Sequence, residues 1–503
     1  MPGEGLRIRA LALLTSLISL IGSVVFSVAV TRKLPLVDVG FLNIFTAAVS
    51  LGTIPATVIS FASPRLAAKY RAAEVGVLAA SAALSAAGAA VGVAYLLGLG
   101  PKVAGRYLDL MLILSSLSSF TSSLSAASAG FLVALDRPRM LYTTLVTSIV
   151  KLASIYYIME SSWSLQSVLI SSFAIYASGL AYSMAAASPY FSASMGIRRP
   201  LKEVMSGAWV PLLGYASNNL RSLDTMFIAA LGGIIDNAIW QVIYMVGKVY
   251  GFVGNLINVS YGELLTREGN RIYYDLLLIL YTTTAISLAV VAFEPYVVEF
   301  LRPRDPYLIP ELAAPIALWA AGNVLGSFSQ FVSAVMQGVD RVDMGGEISA
   351  RTYLGSLVLR AHNAELLMTL SYLALIYPSM EAARAASLNL YAIYGVVIAG
   401  IAANAAATAY RLAGLRNAAE ILGVRGLPRD YALPTAVAAA ALAALRGPIM
   451  AAMRPTPSAA WGALELAAAF AIAGGAYLAG AATSPRARRL ISLALRRAGE
   501  LLP

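Results

Sequence analysis

The chain has 503 residues, of which 59% are hydrophobic and only 12% charged, against roughly 25% charged in soluble domains. That leaves too little polar surface for a water-soluble fold. The absence of cysteine, with a single histidine at His362, excludes disulfides, thiolate metal sites and cysteine nucleophiles. A net charge of +11 would suggest nucleic acid in a soluble protein, but here the charges sit in short loops between apolar runs. They read as the signal that orients membrane spans, and no nucleic-acid partner is expected.

Runs of about 20 apolar residues, the length that crosses the hydrocarbon core, predict fourteen spans. They lie at 10–30, 39–62, 75–99, 110–134, 141–159, 165–187, 206–231, 238–260, 275–293, 312–336, 362–378, 384–409, 431–452 and 457–482. The first is too long for a signal-peptide core and has no convincing cleavage site, so it reads as a retained span. Pro55 and Pro211 are placed to bend the second and seventh spans. Gly88 and Gly92 on the third, and the many serines from Ser115 to Ser128 on the fourth, suit close helix packing more than a polar cavity. The thirteenth is alanine-rich and interrupted by Arg446. Residues 485–502 read as a basic amphipathic helix lying on the membrane face.

With the N-terminus in the cytoplasm, the inner loops and tails hold 24 of the Lys and Arg residues, Arg360 and Arg411 among them, and the outer loops hold nine. This asymmetry orients the chain with both termini cytoplasmic. Without the thirteenth span the arginine-rich tail would lie outside.

The segment Ala134-Leu135-Asp136-Arg137-Pro138-Arg139-Met140 returns as Gly338-Val339-Asp340-Arg341-Val342-Asp343-Met344, and Asp38 and Asp236 each open an apolar run. Both echoes are offset by roughly 200 positions, which points to a duplicated six-span unit whose even span count makes the repeats parallel. The expected fold is an all-α polytopic membrane protein of about 14 transmembrane helices, with two parallel six-helix lobes plus two C-terminal helices. The lobes are 1–190 and 191–410, followed at 411–503 by the two extra helices and the basic tail.

Three cations fall inside spans: Lys151, Arg221 and Lys248. A charge at mid-membrane costs at least about 2.5–3.5 kcal/mol on insertion scales, so it pairs or meets water. One reading places these groups on a cavity wall, where they meet phosphate; the other pairs them with Asp224 or with backbone carbonyls. Arg221 and Asp224, three residues apart, share a helix face and could simply neutralise each other. Asn218, Asn219 and Asn255 suit sugar hydroxyls and equally suit interhelical bonding. His362 and Glu365, also three apart, form a candidate proton relay, and Asp224 is a further candidate for ion coupling. No metal site and no cofactor are expected.

The pattern resembles the multidrug/oligosaccharidyl-lipid/polysaccharide exporter superfamily, in its polysaccharide-transport branch of oligosaccharide flippases. The resemblance is carried by the first span followed by Thr31-Arg32-Lys33-Leu34, by Gly40 and Ser50-Leu51-Gly52-Thr53, and by Pro64-Arg65-Leu66 with Lys69 and Arg71. It continues in the Asp136-Arg137 loop, in Asn218-Asn219-Leu220-Arg221-Ser222-Leu223-Asp224, and in the six-plus-six-plus-two span count over nearly the whole chain. Departures are Leu34-Pro35-Leu36, where the family usually has Leu-Gly-Pro, and a long outer loop from Phe293 to Glu311.

The resemblance implies a monomeric alternating-access flippase of the cytoplasmic membrane, with two lobes around a central cavity. Its cargo would be a polyprenyl- or dolichol-linked oligosaccharide whose lipid stays among the membrane lipids, with H+ or Na+ as coupling ion. Alternatives are a cation-coupled multidrug exporter and a peptidoglycan-precursor flippase. An enzyme is not expected. No G-x-x-x-x-G-K-[ST] or H-E-x-x-H occurs, and the Asp-x-Asp that a lipid-sugar glycosyltransferase would need is missing.

Overall fold

The computed structural model describes the chain except residues 1, 100–104, 194–212, 214–216, 252, 255, 258–271, 341–354, 416, 454–458, 487 and 489–503. The protein is an all-α polytopic membrane protein. Among the described residues ten helices are long and apolar enough to cross a bilayer, or eleven with one bent pair counted. The helices pack as two compact units, 1–241 and 242–503. Large apolar side chains such as Ile113, Tyr156 and Leu464 are exposed, as suits a surface solvated by lipid.

The first unit opens with α1 (Pro2–Lys33), α2 (Leu36–Gly52) and α3 (Ile54–Tyr70). The second expected span is the pair α2–α3, bent by 44° at Thr53. Pro55, in the first turn of α3, has no N–H to continue the ladder across the break. Next come α4 (Val75–Leu99), α5 (Leu108–Leu135), α6 (Arg137–Glu160) and α7 (Leu165–Ala187). Small residues let these helices touch: a Cβ at Gly88 would strike the carbonyl of Gly52 and the ring of Pro55, and one at Gly92 the carbonyl of Ala48.

The α5 serines are used in packing. Ser115, Ser118, Ser119, Ser123 and Ser128 are buried; Ser116 and Thr121 donate back to Leu112 and Leu117, and Ser128 bonds Ser183 of α7 at 2.6 Å. A two-residue parallel strand pair joins Ala73–Glu74 to Phe191–Ser192.

The duplicated aspartates have the same local task. Asp136 closes α5 through its N–H to Leu132 O (2.8 Å) and caps α6 by accepting from Arg139 N (3.2 Å). Its other oxygen accepts from the Tyr190 hydroxyl at 3.0 Å. In the second unit Asp340 donates its N–H to Met336 O at the end of α13 (Leu308–Val339), and its carboxylate accepts from Leu357 N (2.5 Å) and Val358 N at the start of α14 (Leu357–Ala385). Each satisfies orphaned amides at a helix start.

The seventh expected span is described only from residue 217, apart from 213. It runs as a short helix, α8 (Ser217–Leu220), a 3-10 turn (Arg221–Leu223) and α9 (Asp224–Leu231). Gly233, at φ 88°, then turns the chain into α10 (Gly233–Gly247); few residues other than glycine tolerate that backbone. The unit boundary falls inside α10, so its first turns pack with the first unit.

The second unit continues with α11 (Ile272–Ala292), α12 (Glu294–Leu301), the long α13 and α14, and α15 (Tyr391–Gly414). The short α16 (Ala418–Ile421) leads to α17 (Leu433–Ala452), which runs unbroken through Arg446, and α18 (Ala459–Ala481). Most of the basic tail lies outside the described residues.

Three helices meet at Asp430, just before α17. Its buried carboxylate accepts from the Tyr273 hydroxyl, the Ser484 hydroxyl and Arg486 Nη1, each at 2.8 Å, and the Tyr281 hydroxyl donates to its backbone carbonyl. Tyr431–Thr284 and Thr435–Tyr477 bonds, both 2.7 Å, extend this polar seam between α11, α17 and α18.

Glu294 begins α12 just beyond α11. It is 4% exposed, and its Oε1 has no hydrogen-bond partner among the described residues. Burial pushes its carboxyl up to about 7, against the opposing pull of Arg446. The folded chain therefore holds this proton more tightly than the unfolded chain. The resulting stability is fully present below the ordinary value of 4.5 and is lost as pH rises through about 7. Glu294→Gln should flatten that dependence and stabilise the protein at pH 8 by about 3 kcal/mol. Melting curves from pH 4 to 9 check this; parallel curves for the two proteins would refute it.

Candidate functional site

In the first unit, Lys151 lies midway along α6, facing α1. Its ammonium donates to the Ser23 hydroxyl at 2.9 Å, and Gly22 beside it faces Ser148 and Leu152 of α6. The partner is neutral, and among the described residues no ion pair cancels the lysine's charge.

Asp224 is buried at the head of α9, and its Oδ1 accepts from Thr225 N at 2.6 Å and Thr225 Oγ1 at 3.2 Å. The buried Tyr95 hydroxyl of α4 lies within reach of its charge. Arg221 is half-buried in the 3-10 turn, and Asn219 half-buried one residue before Leu220. Ser222 donates to Ser50 of α2 at 3.0 Å. The structure thus brings Asn219, Arg221 and Asp224 together on the segment that packs against α2, and places Lys151 apart from them on the α1–α6 contact. The Asn218 side chain and all of Asn255 lie outside the described residues.

In the second unit, Lys248 is exposed and opens a 3-10 turn after α10. His362 and Glu365 stand on α14, both half-buried. Glu365 Oε1 meets Arg411 Nη2 of α15 at 2.5 Å, and Arg411 Nη1 donates to Ser329 of α13. Arg411 is fully buried. The sequence reading placed it in an inner loop; α15 instead continues to Gly414 and carries it inside. The signal available was Glu365 itself, an acid within a span that requires a cation.

Three solved structures share this architecture. The lipid II flippase MurJ, in an inward closed conformation, superposes with a TM-score of 0.61 at 12% identity, over 93% of this chain and 98% of that one. A MATE protein in the straight conformation gives 0.50 at 15% identity, over 82% and 97%. The outward-facing conformation of a multidrug resistance MATE family transporter of the MOP superfamily gives 0.50 at 15%, over 82% and 96%. No family model matches the sequence, and no curated protein matches it. The fold is that of these transporters, and the protein is a multi-pass membrane protein.

Proposed function

We propose that the chain is an alternating-access flippase of the oligosaccharide-flippase branch. In this reading it carries a polyprenyl- or dolichyl-phosphate-linked glycan across the cytoplasmic membrane, driven by an H+ or Na+ gradient. The observation that carries the reading is Lys151, a mid-membrane ammonium whose partner is a neutral hydroxyl. A charge kept in lipid without a carboxylate is costly unless it meets water or an anion, and in this reading the pyrophosphate of a lipid-linked glycan is that anion.

Lys248 would be the second point charge and Arg221 the group able to grip two phosphate oxygens at once. Asn218, Asn219 and Asn255 would meet sugar hydroxyls. Asp224 is the candidate coupling carboxylate, with His362 and Glu365 as the alternative pair.

A charge-assisted hydrogen bond is worth about 1.5–3 kcal/mol, so Lys151→Ala and Lys248→Ala should each slow transport of the lipid-linked glycan in proteoliposomes by about tenfold or more. Wild-type rates in both would remove them from the site. A peptidoglycan-precursor lipid carries the same pyrophosphate, and MurJ, which superposes best of the three, is named a lipid II flippase. Competition between the two lipids in one vesicle assay separates these readings. Transport of organic cations with neither lipid moved would favour the multidrug alternative.

A further inference from the structure

A buried polar contact between the two expected copies of the repeated unit lies within the first compact unit. It involves the start of α2, from the first copy, and the start of α10, from the second. Asn43 Nδ2 donates to Asn237 Oδ1 at 2.8 Å, and Asn237 Nδ2 donates to the Gly40 carbonyl at 3.0 Å. Asn237 is completely buried and Asn43 is 7% exposed. Beside them Gly40 sits so close to Ile234 that a Cβ would collide with the Ile234 carbonyl oxygen and side chain. Ser222–Ser50 ties the same two copies further along α2. The Lys and Arg distribution places the beginnings of both helices at the outer face.

We propose that Asn43 and Asn237 form an amide clasp that holds the outer end of the pathway shut, with Gly40 as the side-chain-free surface that allows closure. The inference rests on the alternating-access reading and goes beyond it by naming the residues that set the balance between the two states.

The physical case is the setting of the amides. Asparagine in lipid-embedded helices is costly unless its amide is bonded, and here both Nδ2 groups donate across the helix contact. The bonds exist only when α2 and α10 touch, so they favour the closed arrangement and are replaced by water when it opens. Such bonds are strong enough to bias an equilibrium and weak enough to permit turnover.

The chain lacks cysteine, so introduced thiols are the only ones to react. Val37 on α2 and Ile235 on α10 are each 39% exposed and flank the clasp. Spin labels on Val37→Cys and Ile235→Cys in the otherwise unaltered full chain report the separation by pulsed electron resonance, with no substrate added. Asn237→Ala and Gly40→Val should each raise the ratio of long to short distances by about tenfold, which corresponds to roughly 1.4 kcal/mol. Should Asn237→Ala fail to fold, Asn43→Ala carries the test, because Asn237 keeps its own bond to Gly40.

Unchanged distance distributions in the folded variants would overturn the clasp. A shift in the distances with no transport of lipid-linked glycan by the wild type would leave the clasp standing and remove the cargo assignment.

Discussion

Arg411→Ala is expected to destabilise the protein by about 3–5 kcal/mol, the cost of breaking a buried ion pair from one side. Arg411 is fully buried, and its guanidinium joins three helices, meeting Glu365 of α14 and Ser329 of α13 from its own place on α15. Alanine would leave the partly buried Glu365 carboxylate without this guanidinium. Much of the penalty is that lost partner, so the double variant Arg411→Met with Glu365→Gln should recover much of the loss. Unfolding followed by tryptophan fluorescence in detergent measures both. A single variant within 1 kcal/mol of wild type would show that the pair contributes little. The pair also bears on ion coupling: a cation that used Glu365 would have to displace this guanidinium.

Asp430→Ala is the second large effect, about 2–3 kcal/mol, because one buried carboxylate accepts from Tyr273, Ser484 and the exposed Arg486 together. The loss should be local. Hydrogen exchange should rise in α17, at the end of α18 and at the start of α11, while α2 to α7 keep their protection. Asp430→Asn should cost less, since an amide oxygen still accepts from the two hydroxyls. Uniform exchange across the chain after Asp430→Ala would contradict the assignment of this seam to the last two spans.

Much of the architecture was legible because lipid leaves few options. The apolar runs gave helices, the echoed Asp136 and Asp340 each turned out to hold the first amides of a helix, and Pro55 marked the bend at Thr53. Other features were hidden for identifiable reasons. Arg411 looks like a loop residue because hydropathy fades toward the end of α15, whereas the decisive fact is the partner acid on another helix. Asp430 lies at a predicted span edge and gains its importance from Tyr273 and Ser484, distant in sequence. Asn43 and Asn237 are inconspicuous in the sequence because an amide in an apolar run carries no charge. Only the packing of α2 on α10 brings them together. Lys151 was visible as a charge, but the hydroxyl of Ser23 that meets it could be found only in three dimensions.

The aspartate at the α5–α6 junction, and its counterpart between α13 and α14, has a mechanical consequence. Its backbone finishes one rod while its carboxylate fastens the first amides of the next. One carboxylate thus ties the end of each helix to the start of the next, whereas at Thr53 no side-chain cap fastens the helix that follows the break.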